Sequence, residues 1–231
     1  MKALLSILAG VAVSASVTAG SLPAHAHATT TDNNWAGYIA TGSPTTFKSV
    51  STSWIQPGVT CTSKAETDSS FWVGLGGWSK QSQTIEQEGT EADCIKDKPV
   101  YYGWYEMWPA NTQDFGGTVK PGDHITATTV YDGSNKFTLT LSDSTQGWKV
   151  NTTKTQKNAI RDSAEVIVEA DGTEYSGNLA DYGNVTFSSA AVNGQNLGTQ
   201  KLTKANMVDG SKTVVSVSPI TNGKDFSATY K

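Results

Sequence analysis

The stretch "TIEQEGTEAD", residues 84 to 93, sets one neutral amide, Gln87, among Glu86, Glu88, Glu91 and Asp93. A carboxylate takes a proton from water and later gives it back, but it repels a developing oxyanion. An amide complements it, because its NH₂ donates while its carbonyl oxygen accepts. Hydrolysis by a directly attacking water uses both group types. The plain alternative is a solvated edge that carries an incidental glutamine. Other stretches put reactive groups on one face of a strand. In "SAEVIVEA", Glu165, Ile167 and Glu169 point one way and Val166 and Val168 the other, so the valines suit a core and Glu169 the opposite face. In "GWYEMWPA", Trp104, Glu106 and Trp108 share a face, while Tyr105 and Met107 share the other. Large aromatics beside a carboxylate suit a binding groove, with burial between sheets as the competing reading.

Composition removes several chemistries. The chain has 231 residues, a formal net charge of −4 and three histidines. Lys2, the apolar run "ALLSILAGVAVSA" and the small residues of "AHAHA" form a signal peptide, expected over residues 1–28, with cleavage after Ala26 or Ala28. Residues 29–231 are then expected to be a single exported domain with no membrane span. His25 and His27 leave with the leader, and His124, in the turn "KPGDHITATTVY", is read as structural. Zinc sites built on two or three histidines are thereby excluded, and no cofactor or metal is expected. No basic stripe exists, which argues against a nucleic-acid partner. In an exported chain, Cys61 and Cys94 suit one disulfide, the alternative being two buried thiols.

The elements that must position these groups are strands. Period-two alternation rich in Thr, Val, Tyr and Trp recurs in "SFWVGLGG", "VYYGWYEMW", "HITATTVY", "KFTLTLSD", "AEVIVEA", "NVTFSSAAV" and "TVVSVS". "YDGSNKF" reads as a hairpin turn, and no segment carries a sustained helical stripe. Many short antiparallel strands in about 200 residues predict an all-β fold, a β-sandwich of two packed sheets.

The motifs "NNWAGYIATG", "FWVGLGG", "TIEQEGTE", "YYGWYEMWPA", "PGDHI" and "SAEVIVEA" follow the order and rough spacing of the glutamic peptidases, or eqolisins, which the chain resembles from Asn34 to about Phe187. That resemblance implies a concanavalin-like sandwich of antiparallel sheets and an acid endopeptidase acting on protein or peptide substrates, expected to be a monomer. It places the catalytic glutamine on Gln87 and the catalytic glutamate on Glu169, the second acid of "AEVIVE". It also places Trp72, Trp104, Tyr105 and Glu106 at the substrate cleft as apolar walls and a neighbouring acid. Fungal members often have an aspartate where Gly76 stands, more cysteines and a long propeptide, whereas here the domain follows the leader almost directly. A carbohydrate-active or carbohydrate-binding sandwich is the rival reading, with Glu86 and Glu88 as paired carboxylates on one strand face. It leaves Gln87 and "AEVIVE" without a role.

Overall fold

Alternating apolar residues settle into sixteen strands in the computed structural model, which describes residues 27–62, 66–170 and 178–231. In chain order they are β1 (Ala28–Asp32), β2 (Trp35–Thr41), β3 (Ser49–Ile55), β4 (Ser70–Leu75), β5 (Ile85–Ile95), β6 (Lys98–Trp108), β7 (Gln113–Asp114) and β8 (His124–Gly133). There follow β9 (Lys136–Asp143), β10 (Trp148–Thr155), β11 (Ser163–Glu169), β12 (Asn184–Val192), β13 (Gln195–Asn196), β14 (Leu202–Asp209), β15 (Lys212–Val217) and β16 (Phe226–Tyr230). The expected signal peptide lies outside the described residues except for His27 and Ala28, the latter opening β1.

Hydrogen bonding orders the strands β10-β9-β8-β3-β12-β16-β15-β14-β2-β11-β4-β5-β6-β7, antiparallel along the whole path. Off it, β1 pairs in parallel with β14. The path folds into two layers at β12, whose first half pairs with β16 and whose second half pairs with β3 after a register shift between Ser188 and Ala191. Such a bulge bends a strand and lets it change sheets. The β3, β8 and β9 side thus lies against β4 and β5. The predicted hairpin joins β8 to β9, with Ser134 and Asn135 at φ 51° and 62°, the paired positive values of a tight two-residue turn.

Parity decides what meets between the layers. Phe137, Leu139 and Leu141 of β9, Val50 and Trp54 of β3, Phe71 and Val73 of β4, and Val166 and Val168 of β11 all enter the inter-sheet core. Each such large apolar side chain contributes roughly 1.5–3 kcal/mol on burial. The central strands β4, β5 and β11 are buried on both faces almost throughout. Cys61 and Cys94 are joined, so the far end of β5 is tied to the segment that follows β3. Closing that loop is worth about 4 kcal/mol in the chain-entropy relation.

The acidic strip is no solvated edge. Glu86, Glu88, Glu91 and Asp93 are all buried within β5. The strand is central, flanked by β4 and β6, so none of its backbone is left to solvent along that stretch.

Candidate active site

Strand register lays out the face that points away from the core. Across β5 and β6, Gln87 pairs with Glu106, Gly89 with Trp104, Glu91 with Tyr102 and Ile85 with Trp108. Across β11 and β4, Glu169 pairs with Ser70, which in turn pairs with Glu91. Gly74 pairs with both Gln87 and Glu165. A cavity of about 800 Å³ opens on this face. Gln87, Glu169, Glu106 and Glu91 line it together with Asp32 and Asn34, and Trp35, Trp78, Trp104 and Trp108 wall it. Among the described residues lining it, none is Lys, Arg or His, and four, Asp32, Glu91, Glu106 and Glu169, are carboxylic acids.

Three side-chain hydrogen bonds hold the polar groups of the cavity. The Gln87 Nε2 donates to Glu106 Oε2 at 2.6 Å, and the Thr112 hydroxyl donates to Glu106 Oε1 at 3.1 Å. The Gln87 Oε1 is buried and has no hydrogen-bond partner among the described residues. Across the cavity, Asn34 Nδ2 donates to Glu169 Oε1 at 3.1 Å. Asn34 is itself held, because Asp32 Oδ1 accepts from the backbone N–H groups of Asn34 and Trp35, each at 3.0 Å. Its carbonyl accepts from the Ala170 N–H at 3.0 Å, beside Glu169. That turn is a side-chain mimic of a backbone turn, the habit of aspartate at such positions.

Glu165 shares a strand face with Glu169 but not its surroundings. It is fully buried and does not line the cavity. Burial holds its carboxyl well above the usual carboxylate range, and the nearby Glu86 and Asp162 push in the same direction. Glu86 and Glu88 face the inter-sheet core. Burial raises Glu86 to about 8, against the pull of Arg161. Glu88 is raised well above the ordinary range by burial, although its Oε1 accepts from the backbone N–H groups of Thr128 and Thr140 at 2.8 and 2.9 Å. A paired-carboxylate role for Glu86 and Glu88 on a substrate is therefore corrected, since neither reaches the cavity.

Two expected cleft walls stand elsewhere. Trp72 is fully buried, beneath the floor, in a small cluster with Ile39, Trp104, Ile167 and Ala205. Its ring occupies the space that Gly74 leaves open: a Cβ at position 74 would come within 2.9 Å of Trp72 Cζ3 and 3.2 Å of Gln87 Cβ. Trp35 covers it edge-on at 5.0 Å and stacks on Trp78 at 6.1 Å. Tyr105 lies on the opposite face of β6, packed edge-on against Phe115 at 4.9 Å, with Lys154 Nζ 5.3 Å above its ring. Alternation along the strand forces it there, since Trp104 and Glu106 take the cavity side. Trp104 and Glu106 do line the cavity, while His124 is exposed and does not.

Asn34, Asp32, Trp35, Trp78 and Thr112 received no role from sequence. The first three lie in or beside the "NNW" motif, which signalled importance without saying what the residues touch. Among the described residues, no three His, Cys, Asp or Glu side chains gather as metal ligands.

Comparison with known proteins adds a further finding. The peptidase A4 family matches residues 33–230. Scytalidopepsin B of Scytalidium lignicola is 31% identical over 164 residues, covering 69% of this chain. The chain spans 60% of that relative's length. The crystal structure of scytalido-glutamic peptidase with a transition state analog inhibitor superposes with a TM-score of 0.73 at 26% identity, covering 87% of this chain and all of that one. Aspergilloglutamic peptidase from Aspergillus niger shares the fold, with a TM-score of 0.59 at 24% identity over 71% of this chain and 99% of that one.

Proposed function

The chain belongs to the peptidase A4 family, and from that premise we propose that it is a secreted endopeptidase that cleaves peptide bonds in acidic medium with Glu169 and Gln87. The observation that carries the reading is that both side chains line one cavity, each held by its own neighbour, Asn34 for Glu169 and Glu106 for Gln87.

The chemistry follows from the two group types. An ionised Glu169 takes a proton from water as the water oxygen attacks the peptide carbonyl carbon. The carbonyl oxygen becomes an oxyanion and receives an N–H of the Gln87 amide, whose charge does not change with pH. The Gln87 carbonyl oxygen, without a donor among the described residues, accepts from the same water. The C–N bond then breaks, Glu169 delivers its proton to the leaving nitrogen, and the carboxylate is restored for the next turnover. An unperturbed glutamate ionises near about 4.3, so a base of this type serves mildly acidic conditions without a large shift. Trp35, Trp78, Trp104 and Trp108 supply flat apolar surface along which an extended peptide packs.

The test is cleavage of casein by the purified protein across acidic pH, beside the Glu169→Gln variant. The variant should fall to background while retaining the wild-type circular dichroism spectrum. A folded Glu169→Gln that cleaves as well as wild type rejects the proposal.

A further inference from the structure

The contact between Gln87 and Glu106 determines more than proximity. The amide nitrogen of Gln87 faces Glu106 Oε2 at 2.6 Å, and the amide oxygen is turned away. The two residues are directly paired across β5 and β6, which brings their side chains together on one face. Glu106 is held in turn. β7 folds back on β6, pairing Trp104 with Asp114 and Tyr105 with Gln113, and this sets the Thr112 hydroxyl against the second oxygen of Glu106. Each oxygen of the carboxylate thus has its own donor.

From this geometry we infer that Glu106 is a positioning residue, which fixes the direction in which the Gln87 amide faces the reacting groups. The inference rests on the assignment of Gln87 and Glu169 proposed above. An amide is nearly symmetric in shape, and the terminal torsion of glutamine is broad, so packing alone does not distinguish its two ends. With the nitrogen tethered to Glu106, the amide presents its oxygen to the attacking water and its second N–H to the carbonyl oxygen of the substrate. Turned over, it would point its oxygen at the developing oxyanion and forfeit the acceptor for the water. The buried Gln87 Oε1, without a partner among the described residues, is what this arrangement leaves for the water.

The experiment is a mutant cycle on one peptide substrate, with kcat and KM measured separately for Glu106→Ala, Glu106→Gln, Gln87→Ala and the Glu106→Ala/Gln87→Ala pair. Misdirecting a catalytic group costs up to roughly 10²-fold. Glu106→Ala should therefore lower kcat at least about tenfold with KM within about twofold. Glu106→Gln keeps a hydrogen bond to Gln87 but permits either orientation, so it should recover part of the loss. In the Gln87→Ala background, Glu106→Ala should cost less than about twofold, because there is no amide left to direct. A Glu106→Ala variant that raises KM at constant kcat, or one that costs as much without Gln87 as with it, overturns the inference and returns Glu106 to substrate contact. If Gln87→Ala alone cleaves at the wild-type rate, the assignment of Gln87 itself has failed, a result separate from either.

Discussion

The two faces of β5 carry the same kind of residue and lead opposite lives. Toward the core, Glu86 and Glu88 are sealed between sheets, and burial raises both carboxyls far above their ordinary range. Toward the cleft, Gln87 and Glu91 line a large open cavity that also holds Glu106 and Glu169. β11 repeats the contrast on a single face, where Glu165 is sealed and Glu169 reaches the cavity. What separates them is access to water. A carboxyl that cannot be hydrated stays protonated and serves packing, whereas one at a cavity can ionise and exchange a proton.

The largest expected effect tests this contrast along β11. Glu169→Gln should abolish cleavage, while Glu165→Gln, which replaces a sealed neutral acid by a neutral amide, should leave kcat/KM close to wild type. Equal losses in both variants, each folded, would remove the distinction. Next comes Gln87→Ala, which deletes the donor proposed for the oxyanion. Such a deletion typically costs about 2.7–4 kcal/mol, or roughly 10²–10³ in rate. Steady-state kinetics on a defined peptide would read it, and a loss below about threefold would speak against the role.

The core-facing side of β5 makes its own prediction in pH. Because the Glu86 carboxyl is raised to about 8, the folded protein holds that proton more tightly than the unfolded chain. Its contribution is complete below the unfolded value of about 4.3 and drains away as pH climbs toward the folded value. The slope approaches about 1.4 kcal/mol per pH unit for each such group. Melting temperature should accordingly fall between about pH 5 and 8, and Glu86→Gln should flatten that fall. A melting temperature that rises over the same interval, in wild type, would contradict the burial argument.

The smallest effect concerns the cleft side. Asn34 donates to the Glu169 carboxylate, so it favours the ionised form. Asn34→Ala should move the acidic limb of kcat/KM to higher pH. The titratable groups that share the cavity with Glu169 are Asp32, Glu91, Glu106 and Tyr102. An unmoved limb would assign Asn34 to packing alone.

Much of this molecule is readable in local pattern. The alternation of "KFTLTLSD" and "NVTFSSAAV" marks β9 and β12, and "YDGSNKF" marks the turn between β8 and β9. Parity alone separates Val166 and Val168 from Glu169, and Trp104 and Glu106 from Tyr105. These readings succeed because a strand without a bulge keeps a two-residue period. Parity says which side a residue takes, but not what lies over it. Trp72 and Trp104 point to the same side, yet Trp35 closes over Trp72 and leaves it beneath the floor.

The strip "TIEQEGTEAD" shows the limit most clearly. Composition places such charges at a surface, because isolated charges are costly to bury. β5 is nonetheless central, and two donors from the opposite sheet receive Glu88, contributed by residues 40 and 52 positions away along the chain. The Asn34 to Glu169 bond spans 135 positions and exists only because β2 and β11 lie side by side. The sequence by itself determined seven of the sixteen strands, the inward and outward faces of β6 and β11, and which residue types hydrolysis would require. Only the tertiary structure decided which carboxyls reach the cavity and which end of the Gln87 amide faces Glu106, because burial and hydrogen-bond partners are set by strands distant in the chain.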